Sequence, residues 1–252
     1  MKENEVILKR QSTRIFFKNG DTDFFFNWLL GIGEVFGFSH GELYYLAQKL
    51  GKSPKPDDWK NVFLSHGDYL EQKVSNSALS GQTEAQYYLA QTYSFRSAIQ
   101  FINPYSDEYL STVHQMERAF SDAVHSLGAP VEKLAIDYQD SYLPGYYLHS
   151  GNNCPTLIMV GGGDTYREDL FYFAGYPGWR RSYNVLMVDL PGQGTNPGRG
   201  LTFDVNAAIP ISLCIDWLEG RNPELNDLAI YGVSGGGYFT AQAAEEDSRI
   251  HA

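Results

Sequence analysis

Two cysteines, Cys154 and Cys214, are all that this chain of 252 residues contains. Cys154 precedes an apolar, strand-like run and Cys214 sits within an apolar, helix-like one, so both read as buried free thiols. No cluster of cysteine and histidine has metal-ligand spacing, so a zinc site is not expected. Positive charge is also scarce. Lys and Arg number 19 against 30 Asp and Glu, a formal net charge of −11. A surface this acidic repels nucleic acid and anionic membranes, and neither is expected as a partner. Acidity of this kind names no substrate. No stretch approaches the ~18 apolar residues of a membrane-spanning helix. The opening Met1-Lys2-Glu3-Asn4-Glu5-Val6 lacks the apolar stretch of a secretion signal. The expectation is a cytoplasmic protein.

What is present is apolar and aromatic. Apolar residues make up 43% of the chain, enough for a substantial core and well above a disordered composition. The length suits one large domain or two ordinary ones. Aromatics reach 15%, with 18 Tyr and 15 Phe. They fit either a tightly packed helical core or an aromatic-lined pocket for an apolar or planar substrate.

The two halves of the chain differ in period. Residues 1–130 read as an all-helical, cap-like domain. Ser39-His40-Gly41-Glu42 is a capping box, and Leu43, Leu46, Ala47 and Leu50 follow it at helical spacing. Gly51 closes that helix. Ser106 caps another, whose buried stripe is predicted as Leu110, Val113, Met116, Phe120, Ala123 and Leu127. Two further helices are predicted around 57–78 and 83–102. Residues 131–252 instead alternate strands with helices. A strand at 134–138 is followed by a hairpin partner at 142–148, where Pro144-Gly145 suits a turn or bulge. Three runs apolar on both faces come next, at 156–160, 184–189 and 228–231. The first is ended by Gly161-Gly162-Gly163, the second by Leu190-Pro191-Gly192 and the third by Gly232, and helical segments near 167–181, 203–219 and 235–246 fill the gaps. That pattern predicts a doubly wound parallel sheet buried between helices, with its ligand at the carboxyl ends of the strands.

Gly232-Val233-Ser234-Gly235-Gly236 stands between a predicted strand and a predicted helix and matches G-x-S-x-G. Such a turn is sharp enough to strain the serine backbone and project its hydroxyl above the sheet. Side chains two residues before and after would clash, so Gly232 and Gly236 take those places. Ser234 is therefore the candidate nucleophile. An oxyanion needs two backbone N–H donors. Gly235 follows the serine, and Gly163 of Gly161-Gly162-Gly163-Asp164 is the expected second donor. The competing readings are a glycine-rich loop that only packs closely and a phosphate loop. The latter lacks the G-K-[ST] ending of a P-loop, and Gly192-Gln193-Gly194 lacks the third glycine of G-x-G-x-x-G because Pro197 stands there.

Gly161 through Asp169, then Asp189-Leu190-Pro191-Gly192-Gln193-Gly194, then Gly232 through Gly236 resemble the α/β-hydrolase superfamily in three places, in order. The chain is more narrowly similar to the branch with a helical domain before the sheet, and Ala85 through Ser94 resembles that domain. The branch includes 2,6-dihydroxypseudooxynicotine hydrolases, fermentation–respiration switch proteins and prolyl-oligopeptidase-like or acylaminoacyl peptidase relatives. The resemblance implies an α/β-hydrolase fold and a serine hydrolase acting through an acyl-enzyme on an ester, amide or acyl-peptide bond, with a small molecule or short peptide as substrate and no cofactor. C–C bond hydrolysis, acyl transfer and an inactive binding or regulatory protein remain open on the same scaffold, as does a homo-oligomer. It also implies a triad ordered serine, acid, histidine. Only 18 residues follow Ser234. His40, His66, His114 and His125 fall in the helical half, where solvated or capping roles are expected. His149 follows the hairpin, and His251 opens a strand that should start at the far end of the sheet from Ser234. The acid and base are therefore expected beyond residue 252, in a longer protein, the alternative being a natural pseudoenzyme.

Overall fold

A computed structural model describes residues 13–223, 225 and 227–252; the side chains of residues 34–36 are outside that description. Met1 to Val6, read above as free of a leader, lies outside the described residues. The chain divides into two compact units, Met1–Ala123 and Val124–Ala252.

The first unit is helical: α1 (Gly20–Phe36), α2 (His40–Leu50), α3 (Pro56–Ser75), α4 (Gly81–Ile99) and most of α5 (Asp107–Ser126). Local signals set the boundaries. The Asn19 side chain accepts from the Asp21 and Thr22 N–H groups at the start of α1. Ser39 Oγ accepts from Glu42 N at 3.1 Å, while the Glu42 carboxylate turns away to His66 Nε2 at 3.0 Å. Ser106 Oγ caps α5 through Tyr109 N. Asp23 receives the N–H groups of Ile15, Phe16 and Phe17. Burial raises its pKa, but those donors outweigh it and hold the carboxyl below its ordinary value. Two expectations need correction. Leu110 is exposed, and Tyr109 takes the buried place in the first turn of α5, while Val113, Met116, Phe120 and Ala123 are buried as expected. His66 is buried rather than solvated, stacked on Phe38.

The second unit holds a five-stranded sheet in the order β1-β2-β4-β3-β5. Its strands are β1 (Val131–Tyr138), β2 (Ser141–Leu148), β3 (Thr156–Val160), β4 (Asn184–Val188) and β5 (Leu228–Gly232). β1 and β2 form an antiparallel hairpin, β2 pairs antiparallel with β4, and β4, β3 and β5 are parallel. The hairpin turns at Gln139-Asp140, with Gln139 at φ 53°, and Pro144-Gly145 lies inside β2. A Cβ at Gly145 would stand 2.8 Å from Met187 O and 3.0 Å from Leu134 Cδ1, so this glycine serves close strand approach rather than a turn.

Alternation along β4 makes the layers. Leu186 and Val188 face Ile211, Cys214, Ile215 and Leu218 of α8 (Ala208–Arg221) and Ala243 of α9 (Gly235–Glu246). On the other face lies a helical run of α6 (Arg167–Leu170), a π turn (Phe171–Gly175) and α7 (Tyr176–Trp179). A Cβ on Gly175 would meet Met187 Sδ at 2.6 Å, and one on Gly178 would meet Val185 Cγ2 at 2.6 Å. Each buried Leu, Ile or Val contributes about 1.5–3 kcal/mol to holding these layers together.

The α8 helix begins at Ala208 rather than near 203, and no strand forms near Ile250. Instead His251 N donates to Leu228 O and Ile230 N to Ala252 O, alongside β5. Cys214 is fully buried, and burial pushes its thiol up to about 12. Cys154 is only half-buried, because it sits in the Gly151–Cys154 turn before β3. No helix among the described residues is long and apolar enough to cross a membrane.

Candidate active site

Three loops meet at the carboxyl ends of β3, β4 and β5. β5 runs through Val233 into Ser234, which is exposed at φ 56° and ψ −122° and immediately precedes α9. A non-glycine residue held outside the favoured wells costs on the order of 1–3 kcal/mol. The flanking glycines make the bend possible. A Cβ on Gly232 would lie 2.2 Å from Gly236 O, and one on Gly236 would lie 2.5 Å from Gly161 O and 2.6 Å from Val160 O. The start of α9 is thus pressed against the end of β3. Its N-terminus opens beside Ser234, where the helix dipole favours negative charge.

The loop after β3 approaches from the other side. A Cβ on Gly162 would meet Ser234 Cβ at 2.9 Å. Gly161 and Gly162 are buried while Gly163 and Gly235 are exposed. Gly163 N lies 3.9 Å from where a Cβ on Gly235 would stand, so the backbones named in the sequence analysis are neighbours. Phe203 borders the same loops, 3.9 Å from a Cβ on Gly163 and stacked at 6.3 Å on Phe239.

Behind this surface lies machinery that sequence reasoning did not assign. Arg167, Glu168, Asp169 and Asp189 are all buried. Arg167 Nη1 is 3.4 Å from Asp189 Oδ2, its Nε 3.4 Å from Glu168 Oε1, and its guanidinium 5.0 Å above the Tyr146 ring. Tyr146 donates to Glu168 at 2.8 Å. Four charged residues directly after a glycine loop and a strand were the available signal. Gln193, also buried, bridges the loops after β4 and β3 through its amide. The amide's partners are contributed by fold, which no spacing announces.

Neither His149 nor His251 stands near Ser234 along the sheet. His251 bonds at Leu228, the first residue of β5, whereas Ser234 follows its last. His149 follows Leu148, which pairs with Val185 near the amino end of β4. A serine–histidine–carboxylate chain does occur in the helical unit: Ser94 Oγ is 2.8 Å from His66 Nδ1, whose Nε2 meets Glu42. Ser94 is fully buried inside α4 and donates its proton to Ala90 O at 2.8 Å, which leaves no room for attack on a substrate. Among the described residues no group of three or more His, Cys, Asp or Glu side chains is arranged to hold a metal ion.

Comparison with known proteins places this geometry. No family model matches the chain. It is 29% identical to the α/β hydrolase ucsC of Acremonium sp, over 89% of this chain and 51% of that protein. It is also 29% identical to the α/β hydrolase psoB of Aspergillus fumigatus, over 94% of this chain and 58% of that protein. Among solved structures, 2,6-dihydroxy-pseudo-oxynicotine hydrolase superposes with a TM-score of 0.69 at 19% identity, covering 88% of this chain and 61% of that one. The chain has the α/β-hydrolase fold and is similar over most of its length to curated proteins named as α/β hydrolases. The superposition covers most of the chain, so the likeness takes in both helical residues and the mixed sheet. The chain spans between half and three fifths of the length of these curated relatives.

Proposed function

We propose that the full-length protein is a serine hydrolase with Ser234 as nucleophile, acting on an ester, amide or acyl-peptide bond. The observation that carries this reading is the exposed Ser234 at φ 56°, set between β5 and α9 with the backbones of Gly235 and Gly163 beside it. Curated relatives named as hydrolases support it.

Ser234 Oγ bonds to the substrate carbonyl carbon while its proton passes to a histidine base. The carbonyl π pair moves onto oxygen, and the Gly163 and Gly235 N–H groups hold the resulting oxyanion, aided by the positive end of α9. The oxyanion collapses, the bond to the leaving group breaks, and that group takes the proton from the imidazolium. Water then attacks the acyl-enzyme by the same route and frees Ser234. The base and its carboxylate are assigned to the part of the relatives' length that this chain does not span. Phe203 and Phe239, stacked on one another with Phe203 against the Gly163 backbone, offer an apolar wall at these loops, which favours an acyl group with an apolar or planar portion.

The test is hydrolysis of a panel of p-nitrophenyl esters, anilides and acyl-peptides by the full-length protein. Ser234→Ala is expected to abolish turnover of every substrate the wild type accepts. Unchanged hydrolysis by that variant would refute the mechanism.

A further inference from the structure

Resting on the reading of Ser234 as nucleophile, we infer that Gln193 is the positioning residue that aims the Gly163 N–H at the oxyanion. Gln193 is only 1% exposed, and its amide is fully engaged. Its Oε1 accepts from Leu190 N at 2.8 Å, and its Nε2 donates to Gly161 O at 2.6 Å and Gly162 O at 3.1 Å. The amide has one orientation consistent with these partners, since the reverse would set its oxygen against two carbonyl oxygens. Gly162 O also accepts from Thr165 Oγ1 at 3.0 Å.

The consequence follows from the planarity of the peptide unit. The chain has no cis peptide bonds among the described residues, so the Gly162 carbonyl and the Gly163 N–H point in opposite directions. With the carbonyl tied to Gln193 and Thr165, the N–H is turned away from them. Gly163 N lies on the side of Gly235. Glycine has no side chain to resist rotation of its own peptide planes, so a run of three needs an outside group to fix them. Gln193 is that group, and it is itself held. Its N–H closes the Leu190–Gln193 turn onto Leu190 O at 2.9 Å, with Pro191 and Gly192 (φ 86°) in the central places of a type II turn.

Gln193 does not touch the substrate, so its removal should lower kcat and leave KM nearly alone. Loss of one oxyanion donor costs about 10²–10³-fold in kcat, and Gln193→Met in the full-length protein is expected to lose roughly 10²-fold with KM changed by less than about threefold. A boronic acid that forms a tetrahedral adduct on serine should bind Gln193→Met weaker by a similar factor, about 10²-fold. Gln193→Glu keeps the shape and can donate one hydrogen bond only when protonated, so its deficit in kcat should shrink as the pH falls. That trend is a readout a merely structural role would not give, and it stands if Gln193→Met fails to fold. Wild-type kcat and boronate affinity in a folded Gln193→Met, with Ser234→Ala inactive, overturn the positioning role alone; so does a deficit in Gln193→Glu that is flat across pH. Full activity in Ser234→Ala overturns the nucleophile reading and the role of Gln193 with it.

Discussion

The backbone of Gly162 and the side chain of Ser234 are packed so closely that a Cβ on Gly162 would stand 2.9 Å from Ser234 Cβ and 3.3 Å from its Oγ. Neither side can yield cheaply, because Gly162 is tied by its carbonyl and Ser234 by the bend. Gly162→Ala should therefore shift the hydroxyl by a few tenths of an ångström to about an ångström. Displacement on that scale costs about 10²-fold in rate. Steady-state kinetics would show kcat falling by roughly that factor, with a far-UV circular dichroism spectrum like the wild type's.

Gly236 meets a harder wall. A methyl there would enter the space of Gly161 O at 2.5 Å and Val160 O at 2.6 Å, both backbone atoms. Overpacking of this kind destabilises by about 1–3 kcal/mol. Gly236→Ala should lower the urea midpoint by a corresponding amount without changing the slope of the transition.

The buried Arg167 holds Asp189 on one side and Glu168 on the other. Deleting its charge leaves two carboxylates in a space that water does not reach, and breaking a buried pair from one side costs about 3–5 kcal/mol. Arg167→Met should be much less stable in urea than the wild type. A change below about 0.5 kcal/mol would mean the carboxylates are neutral or hydrated.

Asp247 follows α9 and faces Arg249 and Ser212 directly, with Asp216 and Glu219 of α8 sharing the same arginine. Arg249 first, opposed by burial and helped by the Ser212 hydroxyl, holds the Asp247 carboxyl far below the usual range. A depressed folded pKa adds stability above the unfolded value, about 3.9, that is lost as the pH falls toward the folded one. The stability gap between wild type and Asp247→Asn should be about 1–3 kcal/mol near neutrality and should narrow below about pH 4.

The legible parts of this fold were those with local causes. Three glycine-ended apolar runs gave β3, β4 and β5, and Ser39 and Ser106 marked α2 and α5. The Gly232 to Gly236 spacing located the strained turn at Ser234. What was misread had non-local causes. Pro144-Gly145 looked like a turn, yet it lies within a strand because Met187 and Leu134 crowd that backbone. Leu110 looked buried by period, but in the first turn of α5 its neighbour Tyr109 takes the buried place and Leu110 is exposed. Gln193 was visible as part of a motif, while its role depends on Gly161 and Gly162, about thirty residues earlier in the chain.

The most direct test of the central claim is the intact mass of the full-length protein after treatment with a fluorophosphonate, followed by peptide mapping. A single adduct on Ser234, absent from Ser234→Ala, is the predicted result. A folded protein that takes up no adduct, or carries it on another residue, would contradict an activated nucleophile at this turn.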